Sequence, residues 1–341
     1  MDNDQCQKFL MTGRQEALIF LNACTTDQTD KVYSFTKEIE SIMRAAWLLK
    51  QPLAVDIRHF SDHWIPWEFL GPVDQDVSVD EARVTVLGLS ATVTHHIEQV
   101  GEPQALSSDL LGGEPLTIRF FRNPTLGGTK LEELYFKHGG PFSVLGPLPA
   151  AGETLDLAEQ LANPTRHRDG PADQIVHISC HHAAPENLRE LSAAAVVMTS
   201  SVLDFGDEHR VTLSDLNNDL LFARIGTGGR ALDRPLVFFN ACRGAFTPFV
   251  LQSLKQILLE NGNRAVIATS LNVPDDTAPV VAREFYDNLL EGADAASALH
   301  TARTRLMEQY SSPIGLLYSY YGNPNLQMIL RRRDARHVRS S

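Results

Sequence analysis

Short runs of nearly continuous apolar residues recur along the chain. They are residues 17–22 (ALIFLN), 53–58 (LAVDIR), 84–89 (VTVLGL), 116–121 (LTIRFF), 174–180 (QIVHISC), 235–241 (PLVFFNA) and 264–270 (RAVIATS). A strand with one wet face alternates apolar and polar residues, whereas an unbroken run suits a strand covered on both faces. Between these runs, apolar positions recur at helical spacing. Residues 34–50 carry Phe35, Ile39, Ile42, Met43 and Leu49, and 153–163 and 246–260 read the same way. The stretch 277–291 has Thr277 near its start and stops at Gly292, and 294–310 aligns Ala295, Ala298, Leu299, Ala302, Leu306 and Tyr310. Strands alternating with helices predict a layered α/β fold with a mainly parallel central sheet flanked by helices. The Gly-, Pro- and Ser-rich stretches 100–115 and 143–153 read as loops, as does 163–173 (NPTRHRDGPAD), with a soft boundary near 100–115. No solenoid period is visible.

One pattern repeats. Residues 18–24 (LIFLNAC) resemble 236–242 (LVFFNAC). Two buried strands can share such a string by coincidence, or the N-terminal part can be a degenerate half of the same topology. Cys24 is followed by Thr25-Thr26 rather than Arg-Gly, and is not taken as a nucleophile.

Composition narrows the class. A chain of 341 residues with 43% hydrophobic and 21% charged residues suits one large globular domain or two modest ones. Forty-two Asp+Glu against 30 Lys+Arg give a formal charge of -12, which argues against direct nucleic-acid binding, since that needs a basic footprint. Arg331-Arg332-Arg333 near the C-terminus reads as a solvated tail. No apolar run approaches the roughly 18 residues of a membrane span, and MDNDQCQKFL has no basic leader, so a cytoplasmic protein with no membrane partner is expected. Cys6, Cys24, Cys180 and Cys242 are widely spaced with no C-x-x-C pair, so neither a metal site, a redox motif nor a disulfide framework is indicated.

Two strand ends carry reactive groups. One is Ile175-Val176-His177-Ile178-Ser179-Cys180-His181-His182, and the other is Leu236-Val237-Phe238-Phe239-Asn240-Ala241-Cys242-Arg243-Gly244. In open α/β sheets, sites form outside the carboxyl ends of the strands. If the two strands are parallel neighbours, His181 and Cys242 emerge at one edge. A free thiol has a pKa of about 8.5, and a nearby imidazole can take its proton and later protonate a leaving amine. Backbone N–H groups beside the two residues can stabilise the oxyanion. The pentapeptide Asn240-Ala241-Cys242-Arg243-Gly244 differs only at its first position from the caspase motif Q-A-C-[RQG]-G, whose histidine lies about 50 residues upstream.

Several segments, in order, resemble the CHAT domain, the caspase-like peptidase family of clan CD that includes relatives of separase. Ile65-Pro66-Trp67-Glu68-Phe69-Leu70 resembles its "PWE-L" segment, and His177 to His181 its "H-x-x-C-H-G" strand. Leu203 to Gly206 followed by Val211 to Leu216, then Asn240-Ala241-Cys242, then Ala265 to Asp276 resemble the segments that come next. Phe285-Tyr286 with Leu289 and Gly292, Ala298 to Arg303, and Tyr321-Gly322-Asn323-Pro324 complete the set, over roughly residues 60–330.

The resemblance implies a caspase-like three-layer sandwich and a cysteine endopeptidase with His181 and Cys242 as its dyad. It implies an oxyanion hole from the backbone N–H groups of His182 and Cys242, and no cofactor. Its partners would be a protein substrate and a regulatory or sensor protein, and its role that of a regulated bacterial effector in antiviral defence or cell death. Residues 111–332 would form the peptidase domain, 1–110 an N-terminal caspase-like or regulatory subdomain continuous with it, and 333–341 a basic tail. The family usually has glycine where this chain has His182, so His182 competes with His181 for the role of base and oxyanion donation is open. A catalytically inactive scaffold on the same fold is the alternative. A small-molecule hydrolase using the same dyad, or a nucleotide-sensing module, are further readings, although no P-loop is present.

The remaining candidates are weaker. Asn240, two places before the thiol, and Asp56, on an early strand, are candidates for the substrate pocket, and a neutral Asn240 does not favour a basic P1 residue. Asp56 also reads as a helix-capping or solvated carboxylate. Cys180 and Cys24 read as buried thiols, His177 as a core histidine or a support for the base, and His95-His96 as surface residues. Trp67-Glu68 reads as a packing anchor, and Arg243 either contacts substrate or lies in solvent.

Overall fold

The computed structural model describes residues 3–24, 29–59, 65–71, 78–97, 109–112, 115–138, 140, 142–150, 155–162, 174–183, 201–206, 209–226, 234–242, 248–269 and 271–330. Most of the unbroken apolar runs are strands: β1 (Ala54–His59), β4 (Leu116–Arg122), β6 (Ile175–Ala183), β9 (Arg234–Cys242) and β10 (Asn263–Thr269). The others are β2 (Thr92–Ile97), β3 (Asp109–Gly112), β5 (Phe142–Leu148), β7 (Val202–Asp204), β8 (Arg210–Thr212), β11 (Tyr318–Gly322) and β12 (Gln327–Leu330). The helices are α1 (Asn3–Cys24), α2 (Thr29–Leu48), α3 (Val79–Thr85), α4 (Leu87–Ser90), α5 (Gly127–His138), α6 (Leu157–Ala162), α7 (Leu213–Gly226), α8 (Pro248–Glu260), α9 (Ala278–Leu290) and α10 (Ala295–Tyr310).

The main sheet has the order β1-β2-β11-β10-β9-β6-β4-β5, with β7 and β8 attached beyond β6. Along that path every pair is parallel except β10 with β11. Five strands therefore run one way, and β11, β2 and β1 run the other. A separate two-stranded sheet pairs β3 with β12.

Both faces of this sheet are covered, which explains the unbroken runs. Leu236 and Phe238 of β9 join one core cluster, with residues of α5, α9 and α10; Val237 and Phe239 join the other, with residues of α6, α7 and α8. Each of these side chains is fully buried, and burying one contributes about 2–3 kcal/mol. The result is a three-layer α/β sandwich, as expected. Helix ends follow local rules. The Asp294 carboxylate accepts from the Ser297 N–H (2.8 Å) to cap α10, and Gly292, at φ 97°, closes the turn after α9.

Two expected strands are helical. Residues 17–22 lie in α1, whose buried residues Cys6, Leu10, Arg14 and Ala17 follow helical, not alternating, spacing. The likeness of 18–24 to 236–242 is therefore a coincidence of composition, since only the second is a strand. Residues 84–89 fall in α3 and α4. Ser78 caps α3 by accepting from the Glu81 N–H (3.2 Å), and the run divides its burial between two clusters, with Val86 and Leu89 in one and Leu87 in the other. Conversely, 143–153 contains β5, an edge strand that tolerates Pro147 because an edge leaves one row of N–H groups unpaired. Residues 109–112 of the expected loop 100–115 form β3, and 163–173 lies outside the described residues.

Candidate active site

The parallel pairing of β6 with β9 matches Ser179 with Asn240, Cys180 with Ala241 and His181 with Cys242. His181 and Cys242 are thus backbone neighbours at the carboxyl ends of adjacent parallel strands. On its other side His181 pairs with Asp204 of β7.

His181 is partly exposed and lines an open cleft of about 470 Å³ with Thr125, Leu126, Asn272, Val273, Pro274 and Asp275. The walls are the turn from β4 into α5 and the loop from β10 into α9, so the cleft opens beyond the strand ends. Both walls are fixed. The side-chain Oδ1 of the buried Asn123 accepts from the Thr125 N–H (2.9 Å) and hydroxyl (2.7 Å), while its Nδ2 donates to the Asp204 carbonyl (3.0 Å). Its own N–H donates to the Ser179 carbonyl (2.7 Å), fastening the turn to β6. At the start of α5, a Cβ on Gly128 would stand 2.0 Å from the Asp275 carbonyl oxygen, so only glycine allows the two walls to approach this closely.

Strand alternation separates the two histidines. His177, Ser179 and His181 share one face of β6, and Cys180 and His182 share the other. His182 is buried, its Nε2 has no hydrogen-bond partner among the described residues, and burial pushes its pKa down to about 4. His177 is fully buried, with Nδ1 2.9 Å from the Tyr286 hydroxyl and its ring stacked on Phe238. It is a core histidine. Cys180 and Cys6 are buried cysteines. Cys24 ends α1 rather than a strand, and Arg243 lies outside the described residues.

Several sequence expectations need correction. Asn240 does not line the open cleft. It is fully buried, its amide donates to Glu132 Oε1 (2.6 Å), and its Oδ1 accepts from the Tyr318 hydroxyl (2.6 Å). Asp56 lies in the middle of β1, four strand positions from β9 and in a strand of opposite direction; at about 4.8 Å per strand it is roughly 19 Å away. Its carboxylate is more than half exposed, meets the Thr94 hydroxyl and lies 3.7 Å from His96. His95 is not a surface residue. It is 1% exposed and packs Nε2 against Glu68 Oε1 at 2.9 Å, while Nδ1 meets His59 Nε2 at 2.9 Å. His96 is partly exposed. Glu68 is indeed buried, but as half of an ion pair rather than as simple packing.

Sequence reasoning missed the loop 272–275 as a cleft wall and Glu132 beneath the strand ends. The available signal was the helical spacing of Thr129, Glu132 and Phe136, all buried in α5. It was obscured because Leu131 and Leu134 are 54% and 53% exposed, the reverse of the usual assignment. Among the described residues no group of three or more His, Cys, Asp or Glu is arranged to hold a metal. No helix among them is long and apolar enough to cross a membrane.

Comparison with family models matches residues 137–325, more than half of the chain, to the CHAT domain. The match takes in β6, β9 and β10, and it begins after Ile65–Leu70, so that segment lies outside it. No curated protein matches the chain.

Proposed function

We propose, from the premise that this chain belongs to the CHAT domain family, that it is a cysteine endopeptidase with Cys242 as nucleophile and His181 as base. One observation carries the reading: the two residues are register partners at the carboxyl ends of neighbouring parallel strands, and His181 opens on a cleft. That placement suits an enzyme that must accept an extended peptide. The Cys242 sulfur attacks the scissile carbonyl as His181 takes the thiol proton. The tetrahedral oxyanion collapses to a thioester, and His181 returns the proton to the departing amine. Water, deprotonated by His181, then hydrolyses the thioester and frees the thiol.

The choice between histidines rests on alternation. His181 shares its strand face with Ser179, which partners Asn240, whereas His182 is buried on the other face. The N–H groups of His182 and Cys242 are the proposed oxyanion donors. The family's glycine is not required for backbone conformation here, since His182 is in strand and is not among the non-glycine residues with positive φ. In the wider reading, the enzyme is a regulated effector cutting one protein substrate in antiviral defence or cell death, with a sensor protein as its activator. Residues 111–332 would be its peptidase unit. Residues 1–110 would be a caspase-like or regulatory subdomain continuous with it, a continuity supported by the strands β1 and β2 that they add to the sheet.

Labelling tests the dyad. A peptidyl acyloxymethyl ketone should modify Cys242, located by mass spectrometry, and the modification should fall by about two orders of magnitude or more in His181→Ala. Proteins exposed to the wild type should gain new N-termini that are missing with Cys242→Ala. Labelling indifferent to His181 would sink the reading and favour a catalytically inactive scaffold.

A further inference from the structure

One carboxylate lies beneath the ends of both site strands. Glu132 of α5 is 2% exposed. Its Oε2 accepts from the Ser179 hydroxyl (2.5 Å) and its Oε1 from the Asn240 amide (2.6 Å). Ser179 and Asn240 are themselves register partners on β6 and β9. Each lies two residues before His181 or Cys242 and so on the same face of its strand.

The surroundings complete the arrangement. Asn240 has its second amide atom held by Tyr318 of β11, so neither end of the amide is left to rotate. His177 Nε2 stands 3.4 Å from Glu132 Oε1 without hydrogen-bond geometry, while Tyr286 of α9 fixes the far side of the ring. A buried carboxylate costs several kcal/mol unless its oxygens are satisfied, and an apolar side chain would fill the same space without that cost. Ladder hydrogen bonds already pair the two backbones. The carboxylate adds a tie between side chains of the two strands, immediately below the pair of interest.

We propose that Glu132 is a positioning residue for the dyad: by holding Ser179 and Asn240 on one carboxylate, it sets the spacing and register of the strand ends that carry His181 and Cys242. This rests on the dyad reading above. Glu132 touches neither substrate nor a reacting atom in this scheme; it acts through two side chains. The demand is geometric, since a misplacement of about 1 Å can cost about a hundredfold in rate.

The experiment is alkylation of Cys242 by iodoacetamide in the full chain, followed by mass spectrometry across a pH series, with melting temperature as the check on folding. The wild-type rate should rise with a midpoint below that of a free thiol, about 8.5. In Glu132→Leu, which removes both acceptors, the rate at pH 7 should fall about tenfold or more and the midpoint should move towards the free-thiol value. Glu132→Gln can still accept from Asn240 and donate to the Ser179 hydroxyl, so it should keep most of the rate. Ser179→Ala removes one tether, and about a threefold loss is expected; it carries the test if Glu132→Leu does not fold. A folded Glu132→Leu, or Ser179→Ala, with the wild-type rate and midpoint overturns the positioning role while His181→Ala still abolishes the shift. If His181→Ala matches the wild type, the dyad itself is overturned and the positioning role with it.

Discussion

Glu68 and Glu132 are both 2% exposed, yet the protein satisfies them in different ways. Glu68 is met by charge. The Arg303 guanidinium lies 3.2 Å from its Oε1 and the His95 ring 2.9 Å away, joining the 3-10 turn at Trp67–Phe69 to β2 and α10. Glu132 is met chiefly by neutral donors, Ser179 and Asn240, from two strands that run side by side. The first network sits where β11, β2 and β1 run against the other strands, and the second lies under the carboxyl ends of the parallel block. The Glu68 pair joins elements around β2, which is separated from β9 by β11 and β10. Two short hydrogen bonds from neutral donors on register partners specify a spacing. The comparison therefore assigns stability to Glu68 and placement to Glu132.

The largest effect should come from breaking the ion pair. Glu68→Leu strands the fully buried Arg303 and should cost about 3–5 kcal/mol, and Arg303→Met should do the same to Glu68. The double variant Glu68→Leu/Arg303→Met should recover most of that loss, because a well-packed apolar pair often replaces a buried ion pair at little cost. Urea unfolding measures both. To sharpen the comparison, the fraction that stays folded should alkylate Cys242 at the wild-type rate, unlike Glu132→Leu. A folded Glu68 variant that loses Cys242 reactivity would erase the distinction.

Acid should separate the two networks next. Burial alone would raise the Glu68 carboxyl, but the facing His95 ring and the Arg303 guanidinium more than offset it and hold the pKa down at about 2. A depressed carboxyl contributes stability that is present above its unfolded pKa of about 4.5 and is lost as pH falls towards 2. At 1.36 kcal/mol per unit that contribution is about 3 kcal/mol. His95 is pushed down chiefly by burial, so its uptake of protons in the unfolded state adds a loss that begins nearer pH 6.5. Urea midpoints from pH 6 to pH 3 should fall for the wild type and fall less steeply for Glu68→Gln. Equal slopes would remove Glu68 from the acid limb.

Much of this was legible in the sequence, and the failures have physical causes. The parallel strands were readable because two-sided burial leaves unbroken apolar runs, and β6 and β9 end where His181 and Cys242 stand. The same signal misled at 17–22 and 84–89, since a short apolar run does not distinguish a buried helix from a strand. Ser78 with Glu81, a capping pair, was the local cue to α3. Asn240 was read as a pocket residue from its distance to the thiol, but period-two alternation decides only the face, and α5 covers that face with Glu132. No spacing rule links 132 to 179 and 240, because the three meet only once β4, β6 and β9 are assembled side by side with α5 on top.

The smallest effect concerns the two adjacent histidines. His182 is 1% exposed, and its unpaired Nε2 lies in the core on the face away from His181. Replacing it with leucine removes an unsatisfied polar atom while keeping most of the volume, so at pH 7 stability should change by less than about 1 kcal/mol. Burial holds the folded pKa down at about 4, so the unfolded chain binds the proton first as pH falls below about 6.5. Stability is lost through that window, and at pH 5 the wild type should be about 2 kcal/mol weaker for this reason. His182→Leu should escape that loss, read as a smaller drop in urea midpoint between pH 7 and pH 5. Because the backbone N–H is retained, labelling of Cys242 should stay within about threefold of the wild type. A large loss of labelling with stability intact would favour His182 over His181 as the proposed base.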